Sequence, residues 1–125
     1  MDKLKIFFDI DGVLCSTNEG KYEESFPNQE MIDLLNSLYD EGHEISIYTS
    51  RFMGRLNENT YDVNEYGFEQ ISLQLKKWGI NYSRLILGKP RYDIFIDDKS
   101  YRYKVSDSLL NLKKIISDLK DSKGV

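Results

Sequence analysis

The chain has 125 residues, the length of one domain built on one core. A hydrophobic fraction of 40%, a charged fraction of 30% and a net charge of −4 describe an ordinary globular protein and argue against the basic footprint of a general nucleic-acid binder. The single cysteine, Cys15, excludes an intramolecular disulfide and fits a reducing cytoplasm. No stretch approaches the ~20 apolar residues of a membrane helix. The early Ile6-Phe7-Phe8 run is too short for a signal segment.

Lys3 to Phe8 carries Leu4, Ile6, Phe7 and Phe8 and reads as a short buried strand ending at Asp9. Residues 13–27 are polar, with Gly20 and Pro27, and read as a loop or small hairpin. Asn28 then offers an N-cap. Met31, Ile32, Leu35, Leu38 and Tyr39 follow with helical spacing, and Gly42 suits the C-terminal stop. Ile45-Ser46-Ile47-Tyr48 alternates as a second strand, ending at Thr49-Ser50-Arg51.

Residues 52–64 are rich in Asn and Gly and read as a loop. A second helix is expected over 65–78, with Phe68, Ile71, Leu75 and Trp78 on its apolar stripe, and Gly79 stops it. Leu85-Ile86-Leu87 and Ile94-Phe95-Ile96 are the third and fourth expected strands. The last helix is expected over 106–120, with Lys120 to Val125 a frayed tail. His43 reads as a surface residue and Cys15 as a small buried or loop thiol.

Strands alternating with helices predict an α/β fold: one three-layer αβα, Rossmann-like domain over residues 1–125 with a parallel central sheet. Parallel sheets bind ligands beyond the carboxyl ends of their strands. Asp9 and Asp11, Thr49, Lys89, and Asp97 with Asp98 all follow expected strands. Four segments therefore deliver acids, a hydroxyl and an amine to one edge. Each segment alone has a duller reading as a solvated turn or a cap. Their joint occurrence in order makes that reading the weaker one.

Asp9-Ile10-Asp11-Gly12-Val13, strand-terminal Thr49, Lys89 and the Asp97-Asp98 pair occur in the order of the four motifs of the haloacid dehalogenase (HAD) superfamily. Over residues 3–100 the chain resembles that family. The resemblance implies a Mg²⁺-dependent phosphatase. Asp9 would be the nucleophile that forms an aspartyl-phosphate. Asp11 would be the general acid and then the base. Thr49 and Ser50 would bind phosphate with Lys89, whose charge offsets that of the nucleophile and the transferring group. The metal set would be the Asp9 side chain, the Asp11 backbone carbonyl and the Asp97 side chain, with Asp98 assisting directly or through water. A dianionic ester repels a carboxylate, which is why this chemistry needs so many cations.

Arg51 and Arg55 follow the phosphate-binding strand end and are candidate substrate ligands, since Arg suits bidentate recognition of acidic groups. Their segment resembles a cap-less HAD subgroup associated with capsule and lipopolysaccharide sugar biosynthesis. Neither the interval between Gly12 and Asn28 nor that between Thr49 and Lys89 holds a full lid domain. The expected site is open unless a neighbouring subunit in a homo-oligomer walls it, and the expected substrate is a small sugar phosphate or nucleotide. A nucleic-acid 3′-phosphatase fits the same motifs but not the acidic net charge. A receiver-type signalling module also uses Asp, Thr and Lys-Pro. It places its phospho-accepting Asp after the middle strand, where this chain has Thr49.

Overall fold

A computed structural model of the protein describes residues 3–124. Among them, strand β1 spans Lys5–Phe8, β2 Cys15–Ser16 and β3 Phe26–Pro27, followed by helix α1 at Gln29–Asp40 and strand β4 at Glu44–Thr49. Helix α2 then covers Thr60–Lys77, strand β5 Arg84–Leu87 and helix α3 Leu110–Lys123. β1, β4 and β5 form a parallel sheet in the order β1-β4-β5. The result is a small α/β fold consistent with a single Rossmann-like domain. No described helix is long and apolar enough to cross a membrane.

The central strand explains its sequence. β4 buries Ile45, Ser46, Ile47 and Thr49, because a central strand paired on both edges and packed by α1 has little solvent-facing surface. α1 is capped by Asn28, whose side chain accepts from the Met31 amide, and it buries Met31, Ile32, Leu35 and Leu38. Residues 13–27 make the small hairpin expected of them, with Cys15 opposite Pro27 and Ser16 opposite Phe26.

Several expectations need correction. α2 starts at Thr60, because Asn59 caps it by accepting from the Asp62 amide at 3.1 Å. Its buried line is Val63, Gly67, Ile71 and Leu75, a spacing of four that leaves Phe68 exposed. α3 starts later than expected and continues through Lys123 instead of fraying at Lys120. The Lys120 ammonium donates to Glu41 Oε2 at 2.7 Å, and Gly124 caps the helix at φ 72°. His43 is buried, not on the surface. Its Nδ1 accepts from the Leu4 amide at 3.1 Å, which ties the end of α1 to the start of β1.

The expected fourth strand does not form. Ile94 is 75% and Ile96 88% exposed, and residues 94–96 pair with no strand. A three-residue apolar run carries too little periodicity to specify a strand. In this segment Phe95 packs on Tyr92 instead, with ring centroids 5.2 Å apart.

Candidate functional site

The register of the sheet sets the site. Phe8 of β1 lies opposite Ile47, and Thr49 opposite Leu87. Asp9, Thr49 and Lys89 therefore leave the same edge of three adjacent parallel strands. Gly88 makes the last turn possible. It sits at φ 89°, and a Cβ there would meet Thr60 Cγ2 at 2.9 Å, so a side chain is excluded by both backbone and space. The Lys89 amide donates to the Thr49 carbonyl at 3.1 Å, which fixes the Lys89 backbone against β4.

The Lys89 ammonium donates to Asp9 Oδ2 at 3.1 Å. The Ile10 amide donates to Asp9 Oδ1 at 2.8 Å. The two partners do not respond alike. Burial raises the Asp9 carboxyl above its ordinary value, and Lys89 offsets only part of that. Burial works against the Lys89 charge, but Asp9 and Tyr92 together outweigh it and hold the ammonium above the usual lysine range. The pair thus sets a partly desolvated carboxyl beside a cation that stays charged.

After Asp9 the chain reverses sharply. Gly12 takes φ 87°, its amide donates to the Cys15 carbonyl at 2.9 Å, and the Leu14 amide donates to Ile10 O at 2.9 Å. This turn delivers Asp11 to Arg51. Arg51 Nε donates to Asp11 Oδ2 at 3.0 Å, and one terminal nitrogen donates to Oδ1 at 2.9 Å. The other terminal nitrogen donates to Gln74 Oε1. Thr17 Oγ1 also donates to Asp11 Oδ1, and the guanidinium carbon stands 4.7 Å over the Tyr22 ring.

Arg51, a candidate substrate ligand, is 2% exposed and turned inward, where it meets Asp11. Arg55 is exposed, lies over the Tyr22 and Phe52 rings and donates to Tyr66 Oη at 3.3 Å. Thr49 is fully buried. Its hydroxyl accepts from the Arg51 amide at 3.1 Å, leaving its O–H to donate. Ser50 is half-buried beside it. Cys15 is buried, and burial pushes its thiol up, as suits an inert packing residue.

Asp97 and Asp98 do not join this group. Both are exposed, and Asp97 Oδ1 accepts from the Lys99 amide at 3.1 Å, a local turn. The unformed fourth strand would have carried them to the sheet edge. Among the described residues no three His, Cys, Asp or Glu side chains are grouped to hold a metal, and Asp9 and Asp11 each already face a cation. The structure thus does not bring together the side chains that the motifs assign to Mg²⁺.

No family model matches the chain, and no curated protein matches it. A solved structure does. The chain is similar to a structural-genomics target from Vibrio cholerae at 27% identity and a TM-score of 0.75, over 94% of this chain and 99% of that one. That protein's name states no activity, so the likeness supports the α/β fold.

Sequence reasoning missed Thr17, Ser25, Gln74 and Tyr22, which surround Arg51. Nothing in their spacing marks them, because they are gathered only when the hairpin folds onto α2. Gly67 was also passed over, although the sequence carries a signal for it. A glycine inside a helical pattern signals close packing, and a Cβ there would collide with the Phe52 ring.

Proposed function

We propose that this chain is a HAD-type phosphomonoester hydrolase that works through an aspartyl-phosphate on Asp9. The observation that carries the reading is the Asp9–Lys89 pair, 3.1 Å apart at the carboxyl edge of a parallel sheet, with Thr49 ending the next strand. A carboxylate that is partly desolvated is a better nucleophile than a hydrated one, and a fixed ammonium offsets the charge of the incoming phosphate.

One Asp9 oxygen attacks phosphorus, the P–O bond to the leaving group breaks, and the leaving oxygen takes a proton. Water then attacks the aspartyl-phosphate, releasing inorganic phosphate and restoring Asp9. Lys89 neutralises charge in both steps; the motif resemblance gives Thr49 a hydrogen bond to a phosphoryl oxygen, which its buried hydroxyl makes only once the phosphate displaces what covers it. The motif resemblance gives the proton transfers to Asp11; both its oxygens accept from Arg51 in the structure, so one oxygen leaves Arg51 to carry the proton to the leaving group. The hairpin between Cys15 and Pro27 is too small for a lid domain, so the site is read as open or walled by a second copy, and the net charge of −4 favours a small sugar phosphate or nucleotide over a polynucleotide. A Mg²⁺ requirement belongs to the same proposal through the motif resemblance, with no step assigned to the metal, and a cytoplasmic location belongs to it through the single cysteine, Cys15.

A screen of phosphorylated metabolites for phosphate release, with Mg²⁺ and with chelator, tests the reading. Turnover by the wild type that Asp9→Asn abolishes supports it. A long-lived phospho-protein without turnover would point to a receiver-like module instead.

A further inference from the structure

We infer that Arg51 is a positioning residue: it holds the Asp11 carboxylate in place and does not contact substrate. The inference rests on the proposed hydrolase for its catalytic consequence and on geometry for the clamp itself. Three observations carry it.

The first is saturation. Nε and one terminal nitrogen grip the two Asp11 oxygens at 3.0 and 2.9 Å, the other terminal nitrogen is taken by Gln74, and Ser25 Oγ accepts a further, longer bond at 3.4 Å. Tyr22 covers one face of the plane. A guanidinium so occupied has little left to offer a phosphate.

The second is anchorage from three separate elements. Gln74 lies on α2, and its Nε2 donates to the Tyr22 carbonyl at 2.7 Å. Thr17 and Ser25 flank the hairpin and share a hydrogen bond of 2.6 Å. Arg51 therefore joins the end of β4, the hairpin and α2 around one carboxylate.

The third is backbone strain beside it. Phe52 adopts φ 68°, a left-handed conformation that a bulky residue rarely takes. Its ring fills the space over Gly67 and meets Tyr22 and Tyr66 edge-on at 5.0 Å each. The strained turn follows Arg51 directly, and such outliers persist only where the surroundings over-determine them.

A lysine keeps the charge but cannot grip two oxygens at fixed geometry. The test compares wild type with Arg51→Lys and Gln74→Leu, the second removing only the outer anchor. In Arg51→Lys, kcat/KM should fall about 100-fold on an alkyl phosphate, the cost of a misplaced proton donor. On p-nitrophenyl phosphate, whose leaving group needs little protonation, the fall should stay below about 10-fold. Competitive inhibition by inorganic phosphate should not change, and Gln74→Leu should follow the same pattern more weakly. An equal loss on both esters, or a weakened phosphate inhibition constant, would overturn the inference. The Asp11 ¹³Cγ resonance gives a readout independent of turnover. It should move in Arg51→Lys, and an unmoved signal refutes the clamp. A wild type that releases no phosphate from any ester refutes the hydrolase reading, and the resonance then still decides whether Arg51 fixes Asp11.

Discussion

The Lys89 ammonium and the Asp9 carboxylate meet at 3.1 Å, yet burial leaves Asp9 harder to ionise than an ordinary aspartate. The signs give a pH prediction. A carboxyl raised on folding favours the folded state below its unfolded value of ~3.9, and that contribution is lost as pH rises through the folded value. Lys89 lowers the Asp9 value, so Lys89→Met should raise it further. In chelator-treated protein, the Asp9 ¹³Cγ titration should shift to higher pH in the variant. A titration that moves toward lower pH would mean that the pair is not formed.

Asp11 is expected to matter for stability as well as for chemistry. Arg51 is buried, and removing one partner of a buried pair strands the other charge, a loss of about 3–5 kcal/mol. Asp11→Ala should therefore lower the melting temperature by on the order of 10 °C. Asp9→Ala should cost much less, since Lys89 can turn toward solvent on its flexible stem. Thermal melts of the two variants side by side check this. Equal melting temperatures would show that the guanidinium is not held as described.

The contrast between these two acids shows what the sequence could reveal. Asp9, Thr49 and Lys89 were legible because each follows a strand, and a parallel sheet sends all strand ends to one edge. The αβ alternation was legible for the same reason: helix and strand periods differ, and Asn28, Gly42 and Gly79 punctuate them. The partner of Asp11 was not. Arg51 follows the end of β4, where an outward-facing cation is the natural expectation. Only the strained Phe52 turn and the folded hairpin aim it inward. Ile94-Phe95-Ile96 failed differently, since its composition suits a strand but three residues cannot specify a pairing partner.

The Phe52–Gly67 contact makes a prediction of its own. A methyl group at Gly67 would enter the space of the Phe52 ring. In an exposed helix interior, Gly→Ala is usually favourable by roughly 0.5–1 kcal/mol. Here overpacking should dominate and Gly67→Ala should destabilise by about 1–3 kcal/mol. Because Phe52 adjoins Arg51, the variant should also lose activity on alkyl phosphates. Denaturant unfolding measures the first effect. A stabilised Gly67→Ala would show that the ring does not sit against the helix.

Magnesium tests the acids after Ile96. Mg²⁺ takes oxygen ligands in near-octahedral geometry and is usually bound by one or two carboxylates with substrate phosphate and water. Asp97 is exposed and bonded within its own turn, so Asp97→Ala should leave the melting temperature unchanged. For the proposed hydrolase, excess EDTA should abolish phosphate release, and Asp97→Ala should reproduce that loss in the presence of Mg²⁺. This outcome requires residues 93–98 to bring their acids to Asp9. The rearrangement would be visible as Mg²⁺-dependent shifts of their amide signals in the wild type. Full activity both in chelator and in Asp97→Ala would remove magnesium from the proposal. Lys89 would then be the cation that offsets phosphate charge, and Lys89→Met should abolish turnover on every ester.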